Sequence, residues 1–194
     1  FLAGLDTAAA PRAAARAAGQ LTLLRAMDTT RLSVPQRIDW LLVESYLMRT
    51  IADTVLHQAE RIPGRYLTLG DLYWRVAGDR PPTPSDWGDI RRDLLRAPLA
   101  MDLGRRQLRE PPPLWVRLAV STARSYRGFL GGEFPERVRA AAPDTLRDSL
   151  LAVGERARAA LDSYATFLHD TLRPGAENSW ASGRDYYDWG LAHT

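Results

Sequence analysis

The stretch Pro143-DTLRDSLLAVGERARAALDSYATFLHDTLRPGAENSWASGRDY-Tyr187 decides the fold class. Leu146, Leu150, Val153, Ala157, Leu161, Tyr164, Leu168 and Leu172 follow one another in steps of three or four. That spacing keeps one face of an α-helix apolar over seven turns. Thr145 with Asp148 three residues on has the form of a capping box, and Pro143 marks a boundary before it. Arg173-Pro174-Gly175 ends the helix, because Pro cannot continue it and Gly supplies a terminating conformation. After a polar connection, Gly183-Arg184-Asp185-Tyr186-Tyr187 opens a second helix only a few residues before Thr194. With no initiator Met either, the sequence reads as a fragment of something longer.

The rest of the chain repeats this pattern. Ala8 to Met27 is Ala-rich and reads as a helix with Pro11 in its first turn. Ser33-Val34-Pro35-Gln36 is a second capping box. It starts a long helix ending at Pro63-Gly64, with Ile38, Leu41, Ser45, Met48, Ala52, Val55, Ala59 and Ile62 on one face. Trp40, Leu42 and Ile51 broaden that stripe, which predicts burial on more than one side. Tyr66–Ala77 reads as a short helix, and Ser85 as the cap of a helix that Pro98 should kink or restart. Pro113 begins another helix, closed by Gly131-Gly132, and Phe134–Ala142 is a short one. Apolar residues almost never alternate with period two, so no strand is expected. The expected architecture is an all-α, antiparallel multi-helix array. Residues 1–32 form an Ala-rich helix and linker, and residues 33–194 a helical lobe.

Composition limits the functions available. The 26 basic residues are all Arg and face 23 acidic ones, giving a net charge of +3. Arg91, Arg92, Arg96, Arg105, Arg106 and Arg109 are interleaved with Asp86, Asp89, Asp93 and Asp102, the pattern of a solvated, ion-paired helix surface. Nucleic acid is therefore not expected as a partner. Without Cys the chain can form no disulfide or thiolate ligand. That fits a reducing compartment, so the segment is read as cytoplasmic, with a secreted parent left open. No apolar run approaches a membrane span of about 20 residues, and no membrane partner is expected.

Few residues carry chemistry. At helical spacing Asp53, His57 and Glu60 would share one face, either as part of a metal site or as a polar stripe. The sequence lacks HExxH, a G-x-S-x-G elbow and a P-loop. His169 precedes Asp170 near a helix end, His193 is next to last, and no role is assigned to any of the three His residues. Trp180, Tyr186, Tyr187 and Trp189 crowd together with Arg184 and Asp185. They form either a cleft wall offering hydroxyls and a guanidinium to a ligand or a packing anchor for the last helix.

Several of these segments, in this order, resemble the bacterial family labelled domain of unknown function 885. The likeness rests on Arg37-Ile38-Asp39-Trp40-Leu41-Leu42, on Tyr66 after Pro63-Gly64, and on Pro98 inside a helix. It continues through PPPLWVRLA at Pro111–Ala119, ALDSYATFLHDTLRP at Ala160–Pro174, and Gly183-Arg184-Asp185-Tyr186-Tyr187. The resemblance implies a mostly helical, zinc-metallopeptidase-like protein of which this chain is the N-terminal lobe. The family's HExxPGH motif and later Glu ligand have no counterpart here. No catalytic or metal-binding residue can therefore be carried over, and zinc is expected only in a full-length parent. The cleft-motif candidates are Trp180, Gly183, Arg184, Tyr186 and Tyr187. The expected partners are the missing C-terminal half of the same domain and, in the parent, a peptide substrate. The alternative is a complete, non-catalytic helical interaction or scaffold module.

Overall fold

A computed structural model describes residues 5, 8–55, 57–176 and 187. Among them every regular element is helical and there is no strand. No helix among the described residues is long and apolar enough to cross a membrane. The chain divides into two compact units, one made of residues 1–59 and 178–194 and the other of residues 60–177.

In the first unit, α1 (Ala10–Arg25) packs on α2 (Val34–Val55). The pairing is antiparallel. The Trp40 indole N–H donates to the Leu24 carbonyl at 3.0 Å, whereas Thr54 Oγ1 reaches the Ala10 carbonyl at the opposite ends of the pair. Arg25 pairs with Glu44 at 2.7 Å beside the seam, and Ala17, Leu47, Met48 and Ala52 are buried. Between the helices, Asp28 accepts the Thr30 N–H and caps a single 3-10 turn, Thr29–Arg31. The expected Ser33 box is half formed. Gln36 Oε1 accepts the Ser33 N–H at 2.9 Å, but the Ser33 hydroxyl donates to that same oxygen at 3.0 Å and caps no N–H.

The long helix expected to reach Pro63 is shorter than the sequence pattern suggests. It stops at Val55, and His57 takes a φ of 50° in the left-handed region before the short α3 (Gln58–Arg61). The broad apolar stripe on α2 is also not covered on two sides. Val34, Ile38, Leu41, Leu42 and Tyr46 are exposed, Val34 at 75% and Tyr46 at 70%.

The second unit starts from a 3-10 turn, Pro63–Tyr66, followed by extended backbone. The short helix read from Tyr66 begins only at Leu72, as α4 (Leu72–Ala77), because a turn at Gly70-Asp71 intervenes. Then come α5 (Pro84–Gln107), α6 (Pro113–Gly131), α7 (Glu133–Ala141) and α8 (Asp144–Thr166). The cap of α5 is Thr83, not Ser85. Its hydroxyl accepts the Asp86 N–H, and the Asp86 carboxylate accepts the Thr83 N–H at 2.8 Å, a complete capping box with Pro84 at the first helical position. The helix passes through Pro98 without restarting. In contrast, α8 has Pro143 at its N-cap and no side-chain cap, so the box read at Thr145 and Asp148 does not form.

The apolar stripe of α8 is the spine of this unit. Leu150, Val153, Ala157, Leu161, Tyr164 and Leu168 are all buried. Gly154 extends the stripe because an added Cβ would lie 2.7 Å from the Phe134 ring, so that ring seats directly against the backbone. α6 runs antiparallel to α8, as Arg127 pairs with Asp162 while Gly131 faces Arg158. α5 runs parallel to α8. Arg91 donates to Ser149 and Arg105 donates to Ser163, so both ends of the pairing keep the same offset in sequence. The all-α expectation holds, but the α5–α8 pair departs from the antiparallel arrangement because α6 and α7 carry the chain back before α8 begins.

Candidate functional site

Of the cleft-motif candidates, Trp180, Gly183, Arg184 and Tyr186 lie outside the described residues, and Tyr187 is 64% exposed. His193 also lies outside them. His57 is exposed at its left-handed turn. Helical spacing therefore does not run unbroken from residue 53 to residue 60. Among the described residues no group of three or more His, Asp or Glu side chains is placed to hold a metal ion.

What the structure does bring together is the corner that leads to the aromatic segment. The last turn of α8 widens into a π-helical turn, Phe167–Thr171, closed by the Leu172 N–H on the Phe167 carbonyl at 2.9 Å. Such turns recur at functional sites because they rotate the following side chains out of α-helical register. Leu168 stays in the core, while His169 and Asp170 turn outward with Nδ1 and Oδ1 2.5 Å apart. The imidazole is thereby oriented by a carboxylate at the solvent face.

Beneath this turn Tyr164 donates to the Pro63 carbonyl at 3.0 Å, and Tyr66 donates to Gln107 Oε1 at 3.0 Å. Both rings close over Gly104 of α5. A Cβ there would lie 2.7 Å from the Tyr66 ring and 2.9 Å from the Tyr164 hydroxyl. Burial pushes the Tyr164 phenol well above its ordinary range, and the neighbouring Tyr66 pushes it the same way. With its proton held and its bond made, Tyr164 can position backbone but is not a proton-transfer group near neutrality.

The Pro-rich connector before α6 is tied at both ends. The Arg109 N–H donates to the Glu60 carbonyl at 2.9 Å, and the Gly175 N–H donates to the Pro111 carbonyl at 2.9 Å. Between them Glu110 takes a φ of 42°, in the left-handed region. The Arg61 guanidinium sits 5.6 Å from the centroid of the Trp115 ring. The backbone leaving the π-helical turn is thus held at Gly175 by the connector. Gln107, Gly104 and Arg61 are the parts the sequence did not point to. None belongs to a motif, and only the fold brings them to the tyrosines and Trp115.

The Arg-rich surface of α5 is ion-paired, as its interleaved charges suggested. Arg92 meets Asp89 at 2.8 Å and Arg105 meets Asp102 at 2.5 Å, while Arg75 of α4 reaches across to Asp93 at 2.6 Å. Arg91 and Arg105 are further engaged by Ser149 and Ser163 of α8. Arg75, Arg91 and Arg105 thereby link neighbouring helices.

The same segments that make this corner carry a family match. Residues 2–194 match the family described as bacterial protein of unknown function, DUF885. The chain belongs to this family. No curated protein and no solved structure matches it. The DUF885 match begins well ahead of Arg37, where the likeness read from sequence starts, and so takes in the Ala-rich α1. Within it, Tyr66 and Tyr164 form the hydrogen-bonded core of the corner, and the PPPLWVRLA segment supplies the tied connector.

Proposed function

We propose that this DUF885 chain is the N-terminal, helical, cleft-forming portion of a zinc-dependent peptidase. The zinc ligands and the water-activating base lie in parent sequence outside these 194 residues, so the chain is not catalytic by itself. The observation that carries the proposal is the family match over residues 2–194, combined with a sequence that contains no HExxH or HExxPGH. The exposed apolar face of α2 adds support, since such a face calls for further protein to cover it. In this reading the ligand-facing residues include Trp180, Arg184, Tyr186 and Tyr187. Those side chains offer aromatic faces, hydroxyls and a guanidinium to a peptide backbone. A zinc ion held by the parent's own ligands would supply Lewis-acid activation of the scissile carbonyl and of a bound water.

The test compares the parent gene product with the 194-residue chain. Each is assayed for metal by mass spectrometry and for cleavage of a fluorogenic peptide library with and without chelator. The expected result is stoichiometric zinc and chelator-sensitive cleavage in the parent, and neither in the chain alone. A parent that carries no zinc and cleaves no peptide would favour a non-catalytic scaffold, and cleavage by the 194-residue chain would overturn the division of labour.

A further inference from the structure

We draw no further inference here: the strongest candidate, the exposed apolar face of α2 formed by Val34, Ile38, Leu41, Leu42 and Tyr46, carries nothing because nothing in the structure shows what covers it.

Discussion

The Tyr164 hydroxyl donates to the Pro63 carbonyl across 101 residues of sequence, and both partners are buried. The bond pins the last turns of α8 to the Pro-Gly break that opens the second unit. Tyr164→Phe keeps the ring and its stacking on Phe167 but removes the hydroxyl's hydrogen bond to the Pro63 carbonyl in the core. Loss of one such hydrogen bond costs about 0.5–1.5 kcal/mol. Urea unfolding of Tyr164→Phe is expected to show that loss with an unchanged denaturant slope. A variant as stable as the parent would mean that water replaces the hydroxyl.

The same residue makes stability depend on alkaline pH. The phenol's folded-state pKa is raised, first by burial and then by Tyr66, so the folded chain keeps a proton that the unfolded chain releases near its ordinary value of about 10. A group shifted in this direction contributes its full stability below about pH 10 and loses it as the pH rises beyond. Tyr126 is raised as well, by burial and then by Asp71, and adds a second contribution of the same sign. The urea midpoint of the unmodified chain is therefore expected to fall between about pH 9 and 11. Tyr164→Phe should fall less steeply over that range, and Tyr126→Phe should flatten the remainder in part. Parallel curves for all three proteins would assign the alkaline loss to other groups.

Two glycines on one helix should respond with opposite signs. Gly88 of α5 has no atom within 4 Å of an added Cβ, so Gly88→Ala gains only the better helix propensity, about 0.5–1 kcal/mol. Gly104 lies four to five turns further along α5. There a Cβ would meet the Tyr66 ring at 2.7 and 2.8 Å, too close for any packed core. Forcing the ring aside outweighs the propensity gain, and overpacking of this kind costs about 1–3 kcal/mol. Differential scanning of the two variants should raise the melting temperature for Gly88→Ala and lower it for Gly104→Ala.

The helix starts give a similar contrast between two residues of one type. Thr83 caps α5 by accepting the Asp86 N–H, so Thr83→Ala is expected to cost about 1 kcal/mol. Thr145 occupies the same place in an apparent box with Asp148, yet the N-cap of α8 is Pro143, two residues earlier, with no side-chain cap. Thr145→Ala should therefore lie within about 0.5 kcal/mol of the parent. Chemical denaturation of both variants checks this, and equal losses would mean that the Thr145 box forms in solution.

These pairs show where a sequence is legible and where it is not. The stripe from Leu150 to Leu168 could be read directly, because helical periodicity is a property of one segment and α8 buries one continuous face. Pro113 marks a helix start for the same local reason. The cap of α5 was misplaced by two residues because Ser85 and Thr83 are equally good capping types, and only the backbone path chooses between them. The break at His57 left no mark, since the apolar spacing of α2 continues through it without Gly or Pro. The parallel register of α5 and α8 rests on Arg91–Ser149 and Arg105–Ser163, pairs that no local pattern joins. The corner at Tyr164 is of this kind too. Its tyrosines stood in recognisable segments, while Gln107 and Gly104 acquired their roles only through packing.

The two sides of α2 should be separable by mutation. Leu47 is buried on α2, the helix that packs on α1, and Leu47→Ala removes packed atoms at a cost of about 2–5 kcal/mol. Leu41 and Leu42 are 52% and 63% exposed on the same helix, where a polar side chain reaches water without disturbing the seam. The double variant Leu41→Glu, Leu42→Glu is therefore expected to unfold within about 0.5 kcal/mol per site of the parent. It should also remain dispersed at concentrations where the parent chain self-associates, because an apolar patch of this kind drives association in water. Thermal unfolding and sedimentation velocity read the two effects separately. If the double variant instead unfolded as easily as Leu47→Ala, the face would be part of the core of its own unit.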